Sequence, residues 1–413
     1  MNVKKLLSVL LSVFVLSGMI LLPASAPAED ADRYQAMLDS AEIYAGSNTR
    51  LQKILNRAKN GENITLAVIG GSITEGAGAG TYKDCWASRL LRLLRAEYGT
   101  DDGLNIGLVN AGVGGTPSTF GWIRYYRDIV DKVKDDDGLP DIVIIEYAVN
   151  DGGEPTNRGC YESMVREILA AENEPAVILL FSVFRTGYTL QDQFIPIGRA
   201  YDLTMVSMRD SVFPLIGDMW TQKEFFYDEY HPTALGHGIM ADCIMNAIRT
   251  DAQREPDDRE INVKAVMPVS RAAYTGMRRI FGDSIPDDIA FSCGGFSQDD
   301  PSSYSNIPVG RVCGRNFAHT ALSGNEPLTF TASFRNMLIS YRTVSDRDFG
   351  KAEVYINGEK VMTLNGKQSG AWGQSDTKLI LPYHEADEYH VEIRMAEGSE
   401  NKPFTITAIA FTP

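Results

Sequence analysis

Three short, strongly apolar stretches, at 64–69, 140–147 and 176–183, constrain this chain more than any other feature. A strand that is apolar along its whole length, and not only at every second residue, is buried on both faces, as in a parallel sheet. Between these stretches the apolar residues recur at helix spacing. They include Leu51, Ile54 and Leu55 before the first stretch, and Trp86, Leu90, Leu91, Leu93 and Leu94 after it. Trp122, Tyr125, Tyr126, Ile129, Val130 and Val133 precede the second stretch, and further helices are expected at about 161–171 and 233–248. Another strand is expected at 106–110, and a further segment at about 195–215 helps complete the pattern. Strands alternating with helices imply an α/β domain whose mostly parallel sheet is covered on both faces.

At 413 residues the chain is too long for one comfortable core. From about 254 to 263 it turns charged and the helical period fades. Short β-branched or alternating segments follow at 328–334, 337–344, 352–356, 361–364, 379–381, 389–395 and 404–411. Turn signals such as Asn357-Gly358 and Asn365-Gly366 separate them, as in a β-sandwich. The expected division is a leader at 1–28, an α/β domain at 29–255 and a β-sandwich domain at 256–413.

The leader reads as a secretory signal: Lys4-Lys5, an apolar run at 6–22, then Pro23-Ala-Ser-Ala-Pro-Ala28 with small residues for cleavage. A retained anchor is the other reading of that run, but Glu29 and Asp30 follow directly, which favours cleavage and a secreted product without stable membrane insertion. The formal net charge is -15, and loss of a leader carrying Lys4 and Lys5 makes it -17. That balance argues against nucleic acid or an anionic membrane surface as partner and suits a neutral or weakly charged substrate. Five widely spaced cysteines form neither a disulfide framework nor a zinc motif, though Cys293 and Cys313 could bridge within the second domain.

The chemistry-bearing residues fall at the ends of the expected strands. Leu66-Ala-Val-Ile-Gly-Gly-Ser72 delivers a serine where an open α/β sheet binds its ligands, with Gly70 and Gly71 bending the backbone and a helix expected from Asp84 or Cys85. Asp228-Glu-Tyr-His-Pro232 precedes the last helix: His231 could act as base and Asp228 could set its tautomer, with Thr233 capping the helix. His237, one turn further on, reads as a helix-face residue. Acyl transfer also needs donors for an oxyanion, which the N–H of Gly115 and the amide of Asn150 could supply. Taken singly, each of these is as well explained by a turn, a cap or a solvated loop; their joint placement at strand ends is what points to a hydrolase.

Four ordered blocks then resemble the SGNH, or GDSL-like, hydrolase superfamily: Gly70-Gly-Ser-Ile-Thr74, Asn110-Ala-Gly-Val-Gly-Gly115, Val149-Asn-Asp151 and Asp228-Glu-Tyr-His-Pro232. The resemblance covers about 64–248 and implies a flavodoxin-like three-layer α/β/α domain. It also implies Ser72 as nucleophile, His231 as base and Asp228 as its orienting acid, with an oxyanion hole of the Ser72 N–H, the Gly115 N–H and the Asn150 side chain. Gly114 is the alternative to Gly115. Two positions depart from the family pattern: Gly71 stands where an acid usually precedes the serine, and Ala148 where a glycine usually lies two before the asparagine. Neither removes a reacting group.

An acyl-enzyme mechanism of this kind calls for no metal or organic cofactor. The acidity, the leader and the appended sandwich resemble secreted carbohydrate acetylesterases, so the expected substrate is an acetylated polysaccharide such as xylan or mannan. Trp372 and Tyr383 could stack on sugar faces or serve only packing. The alternatives are a lipase or thioesterase using the same triad, and a catalytically inactive carbohydrate-binding protein.

Overall fold

The apolar stretches become the central strands of a six-stranded sheet. A computed structural model describes residues 28–413 except 135–137, 258–260, 272, 303–304, 307–309 and 346–347. The expected leader therefore lies outside the described residues, save for Ala28, where the first helix begins. Apart from short helical turns, the chain runs through α1 (Ala28–Ala41), β1 (Glu42–Tyr44), α2 (Thr49–Lys59), β2 (Ile64–Gly70), α3 (Ser72–Glu75), α4 (Trp86–Tyr98) and β3 (Ile106–Gly112). It continues through α5 (Ser118–Asp128), β4 (Ile142–Glu146), α6 (Gly159–Leu169), β5 (Ala176–Phe181), α7 (Gln191–Ala200), β6 (Thr204–Ser207) and α8 (Ala234–Gln253). Two compact units result, one of the described residues within 28–112, 133–149 and 171–266, the other of those within 113–132, 150–170 and 267–413. Helices α5 and α6, which lie within the expected α/β span of 29–255, thus group with the sandwich strands.

In the first unit the strand order is β1-β6-β5-β4-β2-β3. Strands β2 to β6 are parallel, and β1 is a short antiparallel edge on β6. Setting β1 aside, the second parallel strand lies outside the first and the third to fifth follow on the other side, which is the flavodoxin-like order. The chain reverses its winding direction between β2 and β4, and such a switch point opens a crevice at the carboxyl ends of the two strands. On one face Leu66, Val68, Ile144, Ile178 and Leu180 pack against Leu51 and Leu55 of α2, Leu90 and Leu94 of α4, and Ile244 and Ile248 of α8. Each such side chain taken fully out of water stabilises the fold by about 1.5–3 kcal/mol. On the opposite face α7 lies so close that a Cβ on Gly198 would sit 2.3 Å from Met205 Sδ and 3.1 Å from Leu179 Cδ1.

Several local expectations change. A helix starts at Ser72 itself, ahead of the one that begins at Trp86 with Cys85 as its cap. Helix α5 stops at Asp128, so Ile129, Val130 and Val133 lie beyond it in spite of their helical spacing. Strand β1 has three residues and a bulge, too short to leave a pattern in the sequence.

The second unit holds the sandwich. After β7 (Arg278–Ile280), β8 (Ala290–Ser292) and a small ribbon of β9 (Ser305–Asn306) and β10 (Gly310–Arg311) come β11 (Phe317–His319), β12 (Leu328–Phe334), β13 (Asn336–Val344) and β14 (Lys351–Ile356). The chain closes with β15 (Glu359–Asn365), β16 (Trp372–Leu381), β17 (Asp387–Met395) and β18 (Phe404–Thr412). One sheet runs β11-β18-β13-β16 with β7 on β18, the other β15-β14-β17-β12-β8, all antiparallel. Phe330, Phe334, Tyr341, Phe404 and Phe411 fill the space between them. Asn357 and Gly358, with φ of 51° and 82°, form the two-residue hairpin their sequence predicts. Asn365-Gly366 does not turn a hairpin: the Gly366 N–H bonds the Gly350 carbonyl instead, and the chain runs on to β16. All five cysteines are free thiols, so Cys293 and Cys313 are not bridged. Cys293 packs at the sandwich core, while the Cys313 N–H bonds Asp128 Oδ1 at 3.2 Å.

Candidate active site

Strand β2 ends at Gly70, Gly71 is extended, and Ser72 opens α3. Neither glycine adopts a left-handed φ; Gly70 is needed for room, because a Cβ there would lie 2.3 Å from Thr74 Oγ1 and 2.5 Å from the Glu146 carbonyl. As the first residue of its helix, Ser72 has an N–H with no intrahelical acceptor.

The turn is held from both neighbouring strands. From β3, Asn110 Nδ2 donates to the Thr74 carbonyl at 2.8 Å, and its Oδ1 takes the Gly112 N–H at 2.9 Å. From β4, the fully buried Glu146 accepts the Thr74 hydroxyl at 2.9 Å. Burial pushes the Glu146 carboxyl up to about 7, against the opposing pull of the Ser182 and Thr74 hydroxyls and the Gly71 and Thr74 N–H groups.

His231 and Asp228 enter on one tight loop. Asp228 Oδ1 accepts the N–H groups of Tyr230 and His231 at 2.7 and 2.8 Å, and its Oδ2 lies 2.8 Å from His231 Nδ1. Partial burial raises the Asp228 carboxyl, but the bonds from the His231 ring and the two N–H groups outweigh it and hold it below the ordinary carboxylate range. An ionised Asp228 can only accept, so Nδ1 carries the proton and Nε2 is left as an acceptor. Nε2 lies 2.9 Å from Ser72 Oγ, the geometry of a base taking that hydroxyl's proton. The glycine-rich loop after α3 closes on this loop at Gly78, where φ is +87° and a Cβ would lie 2.2 Å from the Pro232 carbonyl and 3.0 Å from His231 Cβ. Thr233 caps α8 as expected, its hydroxyl accepting the Gly236 N–H at 3.2 Å.

His237 is not a second base. Its Nδ1 accepts the Trp86 N–H at 3.3 Å, its Nε2 lies 3.0 Å from the Ala77 carbonyl, and burial lowers its pKa to about 4. It is a neutral, fully buried tie between the nucleophile's loop and α8.

Ser72, Asp228 and His231 are thus brought together within the first unit. Gly115 and Asn150 belong to the second unit and are described there. Gly115 has φ +67°, and a Cβ on it would lie 2.7 Å from Trp372 Cζ2, so the indole rests directly on this glycine. The Asn150 Oδ1 is buried without a hydrogen-bond partner. The loops carrying these two residues are joined by Asp151, whose carboxylate takes the Ser118 N–H at 2.7 Å and the Ser118 hydroxyl at 2.5 Å. Burial pushes Asp151 up to about 8, against the opposing bonds from Ser118.

Two supporting residues were not singled out in the sequence. Glu146 did carry a signal, as a lone acid closing the run Ile142-Val-Ile-Ile-Glu146, since a charge there is buried and must be answered by donors. Ser118 carried none.

Residues 68–239 match the GDSL-like Lipase/Acylhydrolase family. The chain carries an SGNH-type hydrolase domain followed by an antiparallel β region, and it is a carboxylic ester hydrolase. Among solved structures it is similar to a two-domain esterase active on acetylated mannans, at 25% identity and a TM-score of 0.76 over 91% of this chain and 98% of that one. The form of that esterase co-crystallised with mannopentaose gives 25% identity and a TM-score of 0.74 over 91% and 97% of the two chains. No curated protein sequence gives a significant match.

Proposed function

We propose that this chain is a secreted serine esterase that removes O-acetyl groups from a plant-type polysaccharide, with mannan favoured over xylan. The observation that carries the reading is the likeness, over 91% of this chain, to a two-domain esterase active on acetylated mannans. Ser72, Asp228 and His231 supply the reaction. His231 Nε2 takes the proton of Ser72 Oγ as that oxygen attacks the acetyl carbonyl. The tetrahedral oxyanion receives hydrogen bonds from the Ser72 N–H, the Gly115 N–H and the Asn150 amide. Collapse breaks the bond to the sugar oxygen, which leaves with the proton from the His231 imidazolium. Water, deprotonated by His231, then attacks the acetyl-Ser72 carbonyl; acetate leaves and Ser72 recovers its proton. In this reading residues 256–413 are an appended module that contacts glycan, and the exposed Trp372 and Tyr383 are its sugar-stacking candidates.

The experiment is acetate release from acetylated glucomannan, acetylated xylan and a chromogenic acyl ester series, comparing wild type with Ser72→Ala. Serine-dependent release from the mannan supports the reading. Activity confined to chromogenic esters and rising with acyl length would replace it with a lipase or thioesterase.

A further inference from the structure

Beside the Ser72–His231 pair lies a row of aromatic rings, with exposed tyrosines on either side of a half-buried Phe184 that packs on the core. Tyr230 is 54% exposed and Tyr188 40%, and both are in the first unit with the catalytic serine and histidine. The rings form a connected series. Tyr188 and Phe184 stack at 5.7 Å and 24°, Phe184 meets Tyr230 edge-on at 5.1 Å and 76°, and Tyr230 meets His231 at 6.1 Å and 70°. Tyr227, 72% exposed, stands on the same loop. Exposed apolar residues scattered singly need no explanation, whereas a contiguous patch marks a binding surface.

The rings are also held in place before any ligand arrives. In the turn after β5, the Phe184 N–H bonds the Tyr188 carbonyl at 3.0 Å and the Gly187 N–H bonds the Phe184 carbonyl at 2.8 Å, which sets the two rings face to face. The Arg185 N–H bonds the Glu229 carbonyl at 3.1 Å, and the Arg185 and Glu229 side chains pair across the same two loops. Tyr230 is fixed through its own N–H by Asp228 Oδ1, the oxygen that also takes the His231 N–H. A surface ordered in advance spends little conformational entropy on binding.

We propose that Tyr230, Phe184 and Tyr188 form a carbohydrate subsite that seats uncharged pyranose rings of the substrate chain next to the reacting serine. The proposal rests on the polysaccharide reading above and deepens it. A pyranose offers an apolar face of C–H groups to a ring and hydroxyls to its edge; tyrosine offers a flat apolar body with a polar tip. The strongly acidic chain disfavours a polyanionic glycan, so the occupant is a neutral one. The ion pair of Arg185 and Glu229 ties together the two loops that carry the tyrosines.

The test compares kcat and KM of wild type, Tyr230→Ala, Tyr188→Ala and Tyr230→Phe on acetylated mannopentaose and on 4-nitrophenyl acetate. The expected result is a fall of about 10-fold in the ratio of kcat/KM for the oligosaccharide to that for the small ester, carried by KM, in each alanine variant. Tyr230→Phe should recover most of it, because the ring face remains. With wild type active on the oligosaccharide, a ratio that moves by less than about twofold overturns the subsite alone. Wild type active on 4-nitrophenyl acetate but not on the oligosaccharide overturns the polysaccharide reading and the subsite with it.

Discussion

The hydroxyl of Thr74 donates to Oε2 of Glu146 across 2.9 Å, so the turn that carries Ser72 is fastened to a buried carboxyl on the neighbouring strand. Thr74 follows Ser72 by two positions along a single helical turn, so a shift of one is felt by the other. Thr74→Val keeps the shape and removes the donor. It should lower kcat by about 10–100-fold with a much smaller change in KM, since misplacing a nucleophile costs rate more than binding. Thr74→Ser should restore most of the loss. Steady-state kinetics on one acetyl ester checks this, and equal losses in the valine and serine variants would show that the hydroxyl does not matter.

Glu146 and His237 bias stability against pH in opposite directions. Glu146 rises from 4.5 to about 7 on folding, so its folded state holds more protons than the unfolded chain and stability falls as pH climbs through that interval. His237 drops from 6.5 to about 4, so stability falls as pH goes down through that interval. Glu146→Gln removes the first effect and keeps the second. Relative to wild type, the variant should gain on the order of 3 kcal/mol of unfolding free energy between pH ~4.5 and ~7.5. Urea unfolding across that range measures the difference; a flat line would mean that Glu146 titrates normally.

Asp228→Asn would let the ring take the wrong tautomer, with Nδ1 accepting and Nε2 protonated towards Ser72. A loss of about 10³–10⁴-fold in kcat is expected, with the melting temperature little changed because the side chain is partly exposed. Ser72→Ala should abolish acyl-enzyme formation and leave folding intact. Burst kinetics with a chromogenic ester reads both outcomes.

Asp151 joins the loops of Gly115 and Asn150 through Ser118. With its carboxyl pushed up to about 8, it is largely protonated at neutral pH, and asparagine can keep both contacts, its Oδ1 taking the Ser118 N–H and its Nδ2 donating to the Ser118 oxygen once that hydroxyl rotates. Asp151→Asn should therefore retain most activity. Asp151→Leu leaves the buried Ser118 hydroxyl and N–H unanswered and should cost about 1–3 kcal/mol of stability together with a fall in kcat. Thermal unfolding and kcat measured on the same preparations separate the two effects. A leucine variant as active and as stable as the asparagine one would remove this role.

What the sequence shows and what it hides follow from range. Strands β2, β4 and β5 were legible because double-sided burial leaves an unbroken apolar run, and the Asn357-Gly358 hairpin because only a few residues tolerate its φ angles. Ser72, His231 and Asp228 were legible because their chemistry demands particular atoms in particular loops. The short helix at Ser72 was not, since four residues make less than two turns of pattern. The end of α5 at Asp128 was missed because periodic apolar residues continue past the point where the helix stops. Glu146 gave a partial signal and Ser118 none, because a supporting hydrogen bond depends on which loops the fold brings together, 33 residues apart in the case of Ser118 and Asp151.

Ser72 and His231, the proposed nucleophile and its base, are 159 residues apart in the chain. A ribosome delivers Ser72 early, with its strand, but the loop of Asp228 and His231 and the helix behind it arrive only at the close of the α/β portion. Until then Ser72 has no partner to take its proton, and a lone serine hydroxyl is a poor nucleophile at neutral pH. The chain therefore lacks its proposed reacting pair until past the midpoint of its synthesis, and only then, with the sandwich strands still to be made, can it acquire hydrolytic power.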